Sequence, residues 1–389
     1  DAHQPRDGGV YRETEGGVVM QLTETIKLYP NGYQKELILG TMNEYIHTVN
    51  SLVSAAAEGT SISNFTSADV KCNLPSALKN QCIRDAKSIV KKYNTALRKV
   101  EKANLKREEK IPEPKMPVVK KPCCYINNQN FRIQDDSVSF PVMINGKAKR
   151  IAVSAKITER ERQLLSGATL GTMRIVLKSG VIVAQIVYEA IEAEPLEEGG
   201  TMGIDLGIKC PAVSYCSDGN VKFYGNGRKN KYMRRHYRTL RKNLQKAKKP
   251  EAVKRINNKE QRIMKDHDHK LSREIVDTAL EHNVKTIKME RLENIRSTTR
   301  TSRKNNPSLH NWSFYRLAKF IEYKAELAGI TVEYVDPKYT SQRCPVCGHV
   351  NHADDRNYTC QCGFHIHRDI LGAMNIESST ESVGKRQTA

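Results

Sequence analysis

The chain has 389 residues, of which 38% are hydrophobic, and it carries a formal net charge of +21 with a pI near 9.5. This charge argues against an ordinary metabolic enzyme and predicts a polyanionic partner, DNA or RNA, because neutralising phosphates releases counterions. An anionic membrane surface is the alternative partner, but no run of about 18 apolar residues and no signal-peptide pattern is present, so neither a membrane span nor secretion is expected.

The N-terminal part predicts a tail, a strand and a helical module. Residues 1–19 are polar and Gly-rich, and we expect a disordered tail or leader. Residues 20–30 alternate like a strand and stop at a Pro-Asn-Gly turn. Apolar residues then recur at helical spacing over 33–57 and over about 76–100, which predicts two helices.

The middle of the chain predicts a β module. Residues 101–122 are rich in Lys and Pro and indicate an exposed connector. Strand-like runs follow between 126 and 191, and a polar break at 192–200 ends them. We interpret these runs as a small β-barrel that the strand at 20–29 completes.

The C-terminal part, from 201 onward, predicts a three-stranded meander and then a basic helical region over 228–282. A buried strand with the sequence "VKTIKME" comes next, followed by a polar loop at 296–307, which is either a plain connection or a lid. A helix, another strand, "ITVEYVDP", and a last helix that opens near Asp369 complete the chain.

Four of the ten cysteines are grouped, as two short pairs separated by twelve residues, which predicts a structural zinc site in a reducing compartment. The pairs are Cys344 with Cys347 and Cys360 with Cys362. The second pair has a one-residue spacer where two residues are usual, so His365 or His367 in place of one thiolate stays open. Of the six scattered cysteines, Cys123 and Cys124 are expected to be plain thiols.

Three carboxylates stand out. Asp205 lies in the apolar run "GIDLGI", where a charge is costly unless it binds something, although a hydrogen-bonded strand residue is the plainer interpretation. Glu290 ends the buried strand, with Glu293 as its rival. Asp369 opens the last helix, where a helix cap is the commonest role of Asp.

Carboxylates from two strands and a helix N-terminus can meet on one side of a sheet, and such like charges need cations. Asp336, which ends "ITVEYVDP", is a further rival but precedes a proline and fits a turn. Two Mg²⁺ ions about 4 Å apart would bind a phosphodiester, one activating water and the other stabilising the leaving oxygen. In a basic chain, the expected substrate is a nucleic-acid backbone.

The order of "GIDLGI", "IKMERL", "ITVEYVDPKYTSQRCPVCG" and "CQCGFHIHRDILGAMNI" resembles the RuvC-like nuclease half of TnpB (OrfB) proteins, transposon-encoded relatives of type V CRISPR effectors. "IKLYPNGYQKELI" and "LPSALKNQCIRDAKSIVKKY" are similar to the N-terminal half of that family. The resemblance therefore extends over nearly the whole chain from about Met20.

The resemblance implies an α/β plus β-barrel fold. An RNase H-like (RuvC) nuclease domain at 201–389, with a zinc ribbon inserted at about 339–364, would follow a β-barrel wedge module at 20–30 and 126–200. A helical recognition module would occupy 31–125. Asp205, Glu290 and Asp369 stand where the three metal ligands of the family stand.

The implied activity is RNA-guided cleavage of double-stranded target DNA. A noncoding RNA from the transposon end would pair with the target, while the protein reads a short adjacent DNA motif. Asp205 would bridge both Mg²⁺ ions and the other two acids would hold one each. We expect a prokaryotic, cytoplasmic and nucleoid-associated protein, with a monomer favoured.

The segment 228–262 contains fifteen Lys or Arg and two Glu, so we predict that it contacts guide RNA or the heteroduplex rather than forming a plain solvated face. Tyr232 and Tyr237 are candidates for stacking on bases, or for packing. The predicted contact residues are Arg234, Arg235, Arg238, Arg241 and Lys242.

Three rival functions remain at this point. A miniature CRISPR effector would perform the same chemistry with a CRISPR-derived guide. A transposase would act on DNA strands directly, although no Tyr or Ser nucleophile is distinguished by its surroundings. A zinc-ribbon DNA-binding regulator would use the acids only as helix caps and turn residues.

Overall fold

The computed structural model describes residues 10–14, 17–105, 109–256, 258–291, 314–353 and 355–380. The chain divides into two compact units, the first built mainly from Met20–Ala190 and the second from Ile191 onward. The predicted loop at 296–307 and Glu293 lie outside the described residues. None of the helices in the described ranges combines the length and the apolar character needed to cross a bilayer.

The first unit contains an eight-stranded sheet with the order β3-β7-β8-β2-β6-β5-β4, in which β1 pairs with β2. The strands are β1 (Val10–Thr14), β2 (Gly17–Tyr29), β3 (Cys123–Ile126), β4 (Arg132–Gln134), β5 (Ser137–Ile144), β6 (Lys147–Lys156), β7 (Leu170–Lys178) and β8 (Val181–Ile191). The strand predicted at 20–29 does join this sheet, as part of β2.

Two expectations for this unit need correction. The predicted barrel is a curled antiparallel sheet whose path has two ends, β3 and β4, and no pairing among the described strands joins them. Both end strands are short, with four residues in β3 and three in β4. Strand β1 lies within the predicted disordered tail, at a Val- and Tyr-containing stretch that favours extended backbone.

The helices of this unit are α1 (Gly32–Ala57), α2 (Ser76–Asn104) and α3 (Glu159–Ser166), with a 3₁₀ turn at Asn128–Asn130. A capping box starts α1, because the side chain of Asn31 accepts from the Gln34 amide and the Gln34 side chain accepts from the Asn31 amide. The apolar faces of α1 and α2 share one hydrophobic core with the sheet, so helices and strands fold here as one compact unit.

The Lys- and Pro-rich connector after α2 is held by side-chain amides. Asn50 of α1 donates to the carbonyl of Val119 at 3.0 Å and accepts from its amide at 2.9 Å. Asn104 makes the same pair of hydrogen bonds with Ile111. These bonds satisfy backbone groups that have no sheet or helix partner.

The second unit contains a five-stranded sheet with the order β11-β10-β9-β12-β13. Strands β9 to β11 form the predicted antiparallel meander, while β12 and β13 run parallel to β9. Its strands are β9 (Gly200–Asp205), β10 (Ala212–Cys216), β11 (Val221–Tyr224), β12 (Val284–Glu290) and β13 (Thr331–Val335). A separate two-stranded hairpin is formed by β14 (Asn357–Thr359) and β15 (His365–His367).

The basic region predicted over 228–282 is divided into three helices. Lys248 has a φ of +52°, and Pro250 starts the second helix, which explains the break. The helices of the second unit are α4 (Gly227–Lys246), α5 (Pro250–Ile256), α6 (Lys259–Glu281), α7 (Phe314–Glu326) and α8 (Arg368–Ser378). Helices α6 and α7 cover the central strands with apolar side chains, and α8 packs on β9 and β10.

Candidate active site

Asp205 is the last residue of β9 and lies against helix α8. A Cβ added to Gly372 of α8 would lie only 3.1 Å from Oδ2 of Asp205. Two residues earlier in β9, a Cβ on Gly203 would overlap the backbone of Ala373. Two glycines therefore let the helix lie directly on the strand that carries Asp205.

Glu290 ends the neighbouring strand. Because β12 runs parallel to β9 and pairs Met289 with Ile204, Asp205 and Glu290 follow at the same end of adjacent strands. The hydroxyl of Thr340 donates a 2.5 Å hydrogen bond to Oε1 of Glu290. Both acids are half-buried.

Asp369 is the second residue of α8 and is not its cap, which corrects the commonest interpretation of an Asp in that position. The cap is His367, whose Nδ1 accepts from the amide of Asp369 at 3.3 Å. The Asp369 carboxylate instead accepts from Arg356 at 2.5 Å, and its side chain is 16% exposed. The helix cap thus leaves this carboxylate available to other groups.

The carboxylates repel one another. The pKa of Asp205 is raised to about 8, first by burial and then by the negative charges of Glu290 and Asp369, while Arg368 and Arg356 act in the opposite direction. Burial also raises the pKa of Glu290, and the hydrogen bond from Thr340 opposes that rise. This is the electrostatic pattern of carboxylates that share one site.

Helix α8 is anchored at its other end as well. Lys288 of β12 donates to the carbonyls of Glu377 and Ser379 at 2.8 and 2.9 Å, at the helix C-terminus. Glu377 also accepts a hydrogen bond from Thr201 of β9. The Lys288 ammonium stabilises the negative end of the helix dipole, and the hydrogen bond from Thr201 ties the helix to β9.

The four grouped cysteines come together beside this site. Their sulfur atoms all lie within 4.8 Å of one another, with 3.7 Å between Cys344 and Cys362 and 3.4 Å between Cys347 and Cys360. A tetrahedral zinc with Zn–S bonds of about 2.3 Å requires sulfurs about 3.8 Å apart. The geometry therefore fits zinc.

The two histidines that were possible substitute ligands are engaged elsewhere. Nδ1 of His365 is hydrogen-bonded to Thr359 at 2.9 Å, and His367 caps α8. Cys344 and Cys360 are buried with Tyr358 and with Leu371 of α8, so the thiol cluster and the helix share a small apolar core. Asp336, the remaining acidic rival, forms the expected turn, because its Oδ1 accepts from the Lys338 amide at 3.0 Å.

The predicted nucleic-acid contacts divide into two groups. Arg235, Arg238 and Lys242 are exposed along one face of α4. Arg241 pairs with Glu260 at 2.5 Å, and Arg234 is half-buried, with its pKa lowered by burial. The first group is the more exposed of the two.

Aromatic side chains extend the exposed face of α4. Tyr232 is 56% exposed, and its ring stacks with that of His236 at a centroid distance of 6.1 Å. These two residues and Arg235 line part of a shallow pocket. Tyr237 is buried and is therefore a packing residue.

Sequence reasoning missed three residues that contact the acids: Arg356, Thr340 and Gly372. Each approaches its acid from a different element, and no periodicity marks it. The "GAMNI" run after Asp369 offered one usable signal, because a glycine in the first turns of a helix costs stability unless something needs the space.

Two family models match the second half of the chain. The probable transposase OrfB_IS605 covers residues 185–296, and the Cas12f1-like TNB domain covers residues 314–376. A TnpB-like protein of Methanocaldococcus jannaschii is 29% identical over 273 residues, which are 65% of this chain and 94% of that protein.

The CRISPR-associated endodeoxyribonuclease Cas12f1 of Sulfoacidibacillus thermotolerans is 42% identical over 113 residues, 28% of this chain but only 25% of that protein. The chain therefore matches about a quarter of this relative's length. Among solved structures, a Cas12f1–sgRNA–target DNA complex has a TM-score of 0.59 at 16% identity and covers 88% of this chain and 81% of that chain, which shows the fold. The family models and these relatives show that the second half of this chain is similar to TnpB (OrfB) and Cas12f proteins.

Proposed function

We propose that the protein is an RNA-guided, Mg²⁺-dependent DNA endonuclease whose active site is formed by Asp205, Glu290 and Asp369. The observation that carries this proposal is the convergence of three carboxylates, from the ends of β9 and β12 and from the first turn of α8, with a raised pKa for two of them. The charge of +21 supplies attraction to nucleic acid.

The strand order supports an RNase H-like (RuvC) assignment for the second unit, because an antiparallel meander is extended there by two parallel strands. We assign the segment that contains the four grouped cysteines as its inserted zinc ribbon. In the first unit, the sheet is the proposed wedge module, and α1 and α2 are the proposed recognition module. Zinc held by four thiolates would serve as a structural support, since no open ligand position is implied.

The three carboxylates suit hard divalent cations, which prefer oxygen ligands. When bound, such ions would polarise the scissile phosphate and activate water. Among the described residues, the carboxylate oxygens do not form a group as tight as the thiols. Arg356 holds Asp369 in an ion pair, which cation binding would have to replace.

The exposed face of α4 is the proposed contact for guide RNA or heteroduplex. Arg235, Arg238 and Lys242 would neutralise phosphates, and Tyr232 offers a ring on which an unpaired base can stack. Arg234 and Arg241 are assigned instead to packing and to the ion pair with Glu260.

A CRISPR-derived guide is the second candidate for the RNA partner, and the 42% identity to a Cas12f1 segment favours keeping it. The chemistry would be the same for both guides. A TnpB-type protein would carry RNA that maps to a transposon end, whereas a Cas12f-type protein would carry repeat-derived RNA.

The test is to purify the full chain from its native host, sequence the RNA that accompanies it, and assay cleavage of a plasmid matching that guide with Mg²⁺ or EDTA. The proposal expects one defined RNA and guide-matched cleavage that EDTA abolishes. Cleavage that persists in EDTA, or that ignores the guide sequence, contradicts it.

A further inference from the structure

The loop between β13 and Cys344, residues 336–343, contacts Glu290 through the side chain of Thr340. Oγ1 of Thr340 lies 2.5 Å from Oε1 of Glu290 and 3.2 Å from the carbonyl of Pro337. A hydroxyl has a single proton to donate, and a carboxylate is the stronger and here the closer acceptor. The proton of Thr340 is therefore directed at Glu290.

The position of Thr340 is set by the backbone of this loop. Tyr339, immediately before it, has a φ of +62°, which is uncommon for a residue with a side chain and persists only where the surroundings impose it. The amides of Gln342 and Arg343 both donate to the carbonyl of Tyr339 at 2.9 Å. Thr340 itself is only 9% exposed.

A side chain of α8 holds this loop. Nδ2 of Asn375 donates to the carbonyl of Thr340 at 2.7 Å and to the carbonyl of Arg343 at 2.8 Å. Arg343 immediately precedes Cys344, the first cysteine of the thiol cluster. The helix that carries Asp369 thus also fixes the loop that contacts Glu290.

We propose that Thr340 is a positioning residue for Glu290 and that Asn375 is its clamp. The hydroxyl of Thr340 restrains Oε1 of Glu290 and leaves Oε2 for a cation, while Asn375 fixes that hydroxyl relative to the helix of Asp369. The inference rests on the proposed function, because it assumes that the carboxylates bind divalent ions. Partners of this kind orient metal ligands, and their loss typically lowers metal affinity about 10- to 100-fold.

The alternative role for Thr340 is structural, because a half-buried carboxylate needs a hydrogen-bond donor for stability alone. A structural role predicts a change in melting temperature at unaltered cation affinity. A positioning role predicts weaker cation binding even in variants that remain folded, together with partial recovery of cleavage at high Mg²⁺ concentration.

The experiment compares Thr340→Ser with Thr340→Ala in the full chain, because these two side chains differ by one hydroxyl. Mn²⁺ binding is measured by titration calorimetry, and folding by circular dichroism. We expect Thr340→Ser to bind Mn²⁺ within about twofold of wild type, and Thr340→Ala to bind at least about tenfold more weakly. Thr331→Ala, on the exposed face of edge strand β13, is the matched control and should not change binding.

Equal Mn²⁺ affinity in the Ser and Ala variants would overturn the inference. If Thr340→Ala does not fold, Thr340→Val and Asn375→Ala are titrated in its place. Thr340→Val restores the side-chain volume without the hydroxyl, and Asn375→Ala keeps the hydroxyl but removes the clamp. Both should bind Mn²⁺ more weakly than wild type, and unchanged affinity in both would overturn the inference. Failure of the proposed function gives a different result: wild type would bind no Mn²⁺, or Glu290→Gln would bind it as well as wild type.

Discussion

Replacing Asp205 by Asn should stabilise the cation-free protein. Asp205 has an ordinary pKa of 3.8 that the folded state raises to about 8, so the folded state binds a proton that the unfolded state has lost at neutral pH. Linkage then requires folding stability to fall as the pH rises from about 4 to about 8. At pH 7 the charged carboxyl costs on the order of 4 kcal/mol, and at pH 5 it costs clearly less.

Asn has nearly the shape of Asp and carries no charge, so Asp205→Asn removes most of this cost. A unit of about 200 residues gains roughly 2–4 °C in melting temperature for each kcal/mol. We therefore expect an increase of about 5–15 °C at pH 7 in EDTA, and a clearly smaller increase at pH 5. Mg²⁺ should reduce the difference by stabilising only the wild type.

Scanning calorimetry measures the melting temperatures of both proteins, in EDTA and in Mg²⁺, at pH 5 and pH 7. Asp277→Asn is the control, because Asp277 is exposed on α6 and its 3.8 Å ion pair with Arg273 contributes little. A lower melting temperature for Asp205→Asn in EDTA at pH 7 would refute the argument. It would show that hydrogen bonds within the fold stabilise the charged carboxylate.

Three further predictions follow from the same geometry. Removing zinc with a strong chelator should lower the melting temperature and weaken Mn²⁺ binding in calorimetry, because the thiol cluster shares an apolar core with α8. Unchanged Mn²⁺ affinity in the zinc-free protein would speak against this coupling. The double variant Arg235→Glu, Arg238→Glu should weaken RNA binding in filter assays. The slope of log binding constant against log salt concentration should fall by about one for each lost phosphate contact. Arg241→Glu should mainly lower thermal stability, and equal effects of both variants on RNA binding would contradict the division of the basic residues. Gly372→Ala should keep the fold, because Ala is more favourable in a helix than Gly by about 1 kcal/mol. It should lower cleavage at limiting Mg²⁺, because the added Cβ would lie 3.1 Å from Oδ2 of Asp205. Full activity would show that this contact relaxes without effect on Asp205.

Hydrophobic patterning was sufficient to find the two strand acids. The apolar run around Asp205 and the run that Glu290 ends both form central strands, and the structure places the two acids at the same end of these strands. The sequence put Asp205 inside its run, whereas the strand ends at that residue. The cysteine spacing likewise predicted the thiol cluster, which forms with four sulfurs despite its short second spacer. These features are local, so the sequence contains them directly.

The contacts that adjust the site were not predictable from local pattern. Arg356 and Asp369 are thirteen residues apart, and Thr340 and Glu290 are fifty residues apart, so both pairs form only in the tertiary structure. The basic helix shows the same limit, because composition marks Arg241 and Arg238 alike, and only the approach of Glu260 separates them. The openness of the first sheet is also decided by pairing at its ends.

The proposed role of Asp205 in cleavage is tested most directly by comparing binding and cleavage in Asp205→Ala. The full chain with its own RNA is assayed for guide-matched cleavage and, in parallel, for RNA and target-DNA affinity. We predict that cleavage falls below detection while both affinities stay within about twofold of wild type. Cleavage that survives the substitution, or binding that is lost together with it, would show that Asp205 serves the fold and not the chemistry.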